Sequence, residues 1–149
     1  MATSALALIG GRPNTVDVML PLRKRLTLDL NASRLSNSML GLQGVVEHLG
    51  EALLEALGAH PHPAGLVLHA IRGKILAQER GHALLGARCL QTLGASPHRL
   101  EAIEEYRALG QSTAHSVATL LDDARLNANV FWTKVEARLA DWHAQALQH

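Results

Sequence analysis

A change of hydrophobic period near residue 31 limits what this chain can fold into more than any other feature. Between Val16 and Leu30 the apolar residues Val16, Val18, Leu20, Leu22, Leu26, Leu28 and Leu30 fall on alternate positions. A two-residue repeat gathers one set of side chains on one face of a strand. From about Ala32 onward the steps become three and four, the repeat of an amphipathic helix. The pattern predicts a mainly α protein, a helical bundle with a long antiparallel helical hairpin and a short N-terminal β-hairpin or strand arm. The expected layout is one domain over 1–149: a flexible lead-in over 1–13, an extended arm over 14–30 and helices over 31–149. Pro21 cannot donate to a ladder, which places that arm at an edge.

Apolar residues make up 48% of the 149 residues but aromatic residues only 3%, so the core must be built from Leu, Ala, Val and Ile. Those are residues that pack helices closely. The formal net charge of +1 supplies no general field for nucleic acid or an anionic membrane. A single cysteine, Cys89, excludes an internal disulfide. The apolar run near the N-terminus is too short for a secretory leader, and no stretch approaches the ~20 apolar residues that span a bilayer. A cytoplasmic protein that binds no cofactor and no membrane is expected.

Within the helical part, a first helical region is predicted over 32–57, interrupted at Gly41 and Gly44. Its apolar stripe is Leu42, Val45, Val46, Leu49, Leu53 and Leu57. A glycine-rich second helix is predicted over 64–93. The last third carries one stripe: Ile103, Tyr106, Gly110, Ala114, Val117, Leu121, Ala124, Ala128, Phe131, Val135, Leu139, Trp142 and Ala146. Gly110 reads as the end of a short helix. From Thr113 to Gln148 no residue signals a stop, which predicts a helix of roughly 50 Å. Such a ridge outruns a small monomer, so Phe131, Trp132, Val135, Leu139 and Trp142 are the expected contact residues for another protein, and a homodimer is expected.

Several local patterns suggest chemistry. Glu79 and His82 form an ExxH, which puts a carboxylate and an imidazole on one helix face as in di-iron bundles. Arg138 and His143 have the Arg-x4-His spacing found in one class of helical ribonucleases. His69-Ala-Ile-Arg72-Gly73 resembles the phosphoacceptor box of histidine phosphotransfer domains. That resemblance implies a phosphorylated His69, with Arg72 steadying the phosphoryl group and Gly73 admitting a partner. Lys24 to Leu30 followed by a helix resembles the opening of ribbon-helix-helix DNA-binding proteins, and implies that Arg25, Thr27 and Asp29 would enter the major groove.

The broadest resemblance is to FlgN-type flagellar and type III export chaperones. Lys74, Leu76, Leu84, Leu85, Arg88 and Gly94, then Leu126, Asn127 and Asn129, follow that family's order over about residues 47–146. The resemblance implies a non-enzymatic helical protein-binding module, an export chaperone or adaptor whose partner is a secretion substrate. The alternatives are phosphotransfer through His69 and DNA regulation through Arg25, Thr27 and Asp29.

Overall fold

The computed structural model describes residues 17–58 and 98–147 and, between them, scattered helical residues from 70 to 93. The described residues are mainly α-helical and include no strand. The expected arm is therefore corrected where it is described, because Leu20–Asn31 is an α-helix, α1. Leu22 and Leu26 are four apart and Asp29 three further on, so a helix puts all three on one face. Leucine, arginine and lysine favour helix, and Thr27 is the lone β-branched residue in the segment. Pro21 lies in the first turn, where a missing N–H leaves no bond unmade. Just before it, Asp17 accepts a hydrogen bond from the Met19 N–H at 3.1 Å and pairs with Arg23 at 2.7 Å.

α1 ends in a left-handed residue that is not glycine. Ser33 has φ 58°, the Ser33 N–H reaches the Leu30 carbonyl at 3.0 Å, and the Arg34 N–H reaches the Asp29 carbonyl at 2.8 Å. These are the two bonds of a Schellman cap. The chain turns there into α2, Leu35–Gly41, and a π-helical turn, Leu42–Val46, leads into α3, Glu47–Gly58. Val45 and Leu49 of the expected stripe are buried, with Val46, Leu53 and Leu57 packed beside them. Leu42 is exposed, because the wider π turn rotates it off that face.

The single 50 Å helix does not form. α4, Arg99–Asp123, and α5, Ala128–Ala146, are separate helices packed on one another. Gly110 does not end α4; it sits inside the helix, where an added Cβ would lie 2.9 Å from Val45 Cγ1. The break is a second Schellman cap. Arg125 has φ 57°, its N–H bonds the Asp122 carbonyl at 2.9 Å, and the Leu126 N–H bonds the Leu121 carbonyl at 2.8 Å. A side chain in this conformation costs roughly 1–2 kcal/mol that glycine avoids. Arg125→Gly is therefore expected to stabilise the fold by about 1 kcal/mol, read in a thermal melt as a midpoint roughly 2–4 °C higher. A lower midpoint would show that Arg125 makes a contact outweighing its strain.

The core joins α1, the π turn, α3, α4 and α5 through Leu22, Val45, Leu49, Tyr106, Leu121, Phe131, Val135 and Leu139. α3 and α5 are also clasped by charge. Arg138 reaches Glu55 at 2.8 Å and Glu51 at 3.4 Å, and Lys134 reaches Glu55 at 3.4 Å. Burial alone would raise the Glu55 carboxyl, but Arg138 and then Lys134 outweigh it and hold the group below its usual pKa. Burial, then the nearby Arg138 charge, pushes the His48 imidazole below its usual value. Among the described residues, no helix is long and apolar enough to cross a membrane.

Candidate functional site

The corner between α1 and α2 is built around a buried carboxylate. Asp29 has no exposed surface, although it stands among leucines on a helix of the core. A buried charge must be paired and hydrogen-bonded to be tolerated. Three donors meet it. The Arg34 Nε–H donates to Oδ1 at 2.7 Å, the Tyr106 phenol to Oδ2 at 2.7 Å, and the Arg25 Nε–H to Oδ2 at 3.2 Å. Arg25 comes from one turn earlier on α1, Arg34 from just beyond the Schellman cap, and Tyr106 from α4. Arg25 also pairs with Glu105 and lies 5.6 Å over the Tyr106 ring, within cation–π range.

Burial would raise the Asp29 carboxyl, but the bonds from Tyr106, Arg34 and Arg25 together hold it below its usual value. The same environment, burial first and then the bond to Asp29, pushes the Tyr106 phenol well above its ordinary range. Both groups keep one protonation state through the physiological range. The arrangement is a fixed brace, not an acid–base pair.

Three leucines near the braced corner are about half exposed. Leu28, Leu30 and Leu35 are 60%, 51% and 49% exposed. A cavity of about 180 Å³ opens on the same end, lined by Arg25, Arg34 and Asn37 and by His98 and Glu101 at the start of α4. A larger surface hollow of about 400 Å³ lies between the approach to α1 and the middle of α4, lined by Asp17, Pro21, His115 and Thr119 among others.

The structure separates the residues singled out from sequence. Phe131, Val135 and Leu139 are buried inside the chain, so the greasy ridge is spent on its own core and offers no surface there. Trp132 is half-buried, edge-on to His115 at 5.9 Å, and Trp142 is half-buried against Gly44. Arg25 and Asp29 belong to the brace, and Thr27 bonds the Arg23 carbonyl at 2.9 Å, so the three do not form the outward edge of a ribbon. His69, Arg72 and Glu79 lie outside the described residues; Gly73 and His82 are exposed on helix. The His82 carbonyl accepts a bond from Gln43 at 2.7 Å. Arg138 and His143 are not brought together on one site: Arg138 clasps α3, while His143 meets Glu104 of α4 at 2.7 Å. Among the described residues, no group of three His, Cys, Asp or Glu could hold a metal ion.

Sequence reasoning missed the brace. Its signal was present: a lone Asp29 with arginines four residues before and five after. No protein-family model matches the chain, and no curated protein or solved structure matches it.

Proposed function

We propose that this chain is a non-enzymatic protein-binding module, an adaptor or export-chaperone-like helical bundle, and that it docks its partner at the α1–α2 corner. One observation carries the reading: three leucines about half exposed within eight residues, Leu28 and Leu30 on opposite flanks of α1 and Leu35 opening α2, at a corner tied by the Asp29 brace. Uncovered leucines on a preorganised surface favour association, because the partner buries apolar area without having to order the site. A second copy of the chain is the other occupant to distinguish.

The test is co-purification from the native host with the full chain as bait, set beside the Leu28→Glu/Leu30→Glu/Leu35→Glu variant. The expected result is a stoichiometric partner lost from the variant while far-UV circular dichroism is unchanged. Affinity should fall at least about tenfold, as for truncated interface anchors. Trp132→Ala should keep the partner. A partner retained by the triple variant sinks the assignment. A wild-type dimer that the triple substitution makes monomeric, with no other protein captured, would replace the foreign partner by a second copy.

A further inference from the structure

The outer face of α5 carries a seam of uncharged, mostly apolar side chains open to solvent. Val130, Thr133, Ala137, Ala140, Ala144 and Leu147 are all exposed, Val130 at 38% and Leu147 at 48%. They follow one another at steps of three, four, three, four and three. That is the spacing of the two contact positions in a coiled-coil heptad. The core residues Phe131, Val135, Leu139 and Ala146 occupy the opposite side of the same helix. A surface helix needs one apolar stripe, and α5 has two. The exposed charges of α5, Lys134, Glu136 and Asp141, stand on the flanks of the outer seam and none enters it.

Size and charge both match a second copy of the seam run in the opposite direction. When two α5 helices lie antiparallel across a two-fold axis, Val130 meets Leu147, Thr133 meets Ala144 and Ala137 meets Ala140, each contact occurring twice. The larger residues then close both ends and alanine lines the centre, where the helix axes can approach to ~8 Å. The flanks decide the direction. In the antiparallel pair Lys134 of each copy stands beside Asp141 of the other, which gives two attractive contacts. In a parallel pair Glu136 would stand beside Asp141, which gives two repulsive ones. Lys134 is open to this role: its side chain is 52% exposed, and Arg138 holds the Glu55 carboxylate more closely, at 2.8 Å against 3.4 Å for Lys134. Glu136 and Asp141 are exposed and make no salt bridge among the described residues.

We propose that the outer face of α5 is a homodimer interface, on which two copies of the chain pack antiparallel about a two-fold axis, with Ala137 and Ala140 at the centre and Lys134 set against Asp141. This face is separate from the α1–α2 corner. The Leu28/Leu30/Leu35 variant should keep the dimer, and failure of either reading leaves the other standing.

Sedimentation equilibrium of the full chain tests the assignment. One helix pair buries less than a standard interface, so the expected result is a reversible dimer with Kd on the order of 0.1 mM. Ala140→Arg puts a long charged side chain at the centre of the seam, on an exposed position. It should weaken the dimer at least about tenfold while far-UV circular dichroism is unchanged. Lys134→Glu and Asp141→Lys should each weaken it about threefold or more. An equimolar mixture of those two variants should regain wild-type affinity, because opposite charges then meet at both contacts. A role of either side chain within its own monomer would not be rescued by mixing. A chain still monomeric at ~1 mM would overturn the proposal. So would wild-type affinity in Ala140→Arg, two charge variants that stay weak when mixed, or a dimer lost in the Leu28/Leu30/Leu35 variant. A dimer tightened by Asp141→Lys would overturn it in favour of the parallel pair.

Discussion

Asp29→Ala should lower stability by about 3 kcal/mol, the loss typical when one partner of a buried charge cluster is removed. In a chain of this size that corresponds to a melting midpoint roughly 6–12 °C lower. The loss is large because the substitution leaves the Arg25 and Arg34 guanidinium groups and the Tyr106 phenol without their shared acceptor. Tyr106→Phe should cost less, about 1.5–2 kcal/mol, since it removes one bond to a charged group and keeps the ring. Asp17→Ala is the control. Its pair with Arg23 is equally short at 2.7 Å, but both side chains are well exposed, so the effect should stay below about 1 kcal/mol. The pH dependence has a defined sign. The Asp29 pKa is held below its ordinary value of 3.8, so its contribution is complete above that pH and disappears as pH falls through the folded-state value. Wild type and Asp29→Ala should therefore differ by a constant amount near neutrality and converge in strong acid. Equal midpoints at pH 7 would show that the brace adds nothing net.

The brace shows why the N-terminal segment reads as strand and folds as helix. Leucines on every second position contain rows spaced by four, and Leu22 and Leu26 serve either period. What decides is Asp29. A strand would turn it outward with Arg25 and Thr27, whereas a helix turns it onto the face of Leu22, where Tyr106 and two arginines await it. The arginines are local, but Tyr106 lies 77 residues away on α4, beyond any local window. Most of the C-terminal stripe was legible: Ile103, Tyr106, Gly110, Ala114, Leu121, Phe131, Val135, Leu139 and Ala146 are buried and Val117, Ala128 and Trp142 half-buried, but Ala124, at the turn, is exposed. Its continuity was not legible. The reversal at Arg125 uses a left-handed residue with a side chain, and the three-and-four spacing runs unbroken through it from Leu121 to Ala128. A ridge that looked too long for one molecule is two ridges folded against each other.

Gly44→Ala should destabilise by about 2–3 kcal/mol, although alanine is the better helix former. Gly44 is buried in the π-helical turn with the Trp142 indole laid directly on its Cα, and an added Cβ would fall within the ring. Gly41 stands in the same relation to the Tyr106 ring, so the glycines that suggested a broken helix are the two places where aromatic rings of α4 and α5 meet backbone. Gly50 supplies the opposite sign. It is exposed on α3, with nothing within 4 Å of the Cβ position, so Gly50→Ala should stabilise by up to about 1 kcal/mol. A double-mutant cycle separates steric conflict from any other role of Gly44. In a Trp142→Ala background the ring is gone, and Gly44→Ala should lose most of its penalty, a coupling of about 2 kcal/mol. If the penalty persists without the indole, the π turn itself demands glycine. If Gly44→Ala is neutral in the native background, Trp142 does not lie where the fold places it, and the contact between the π turn and α5 must be redrawn.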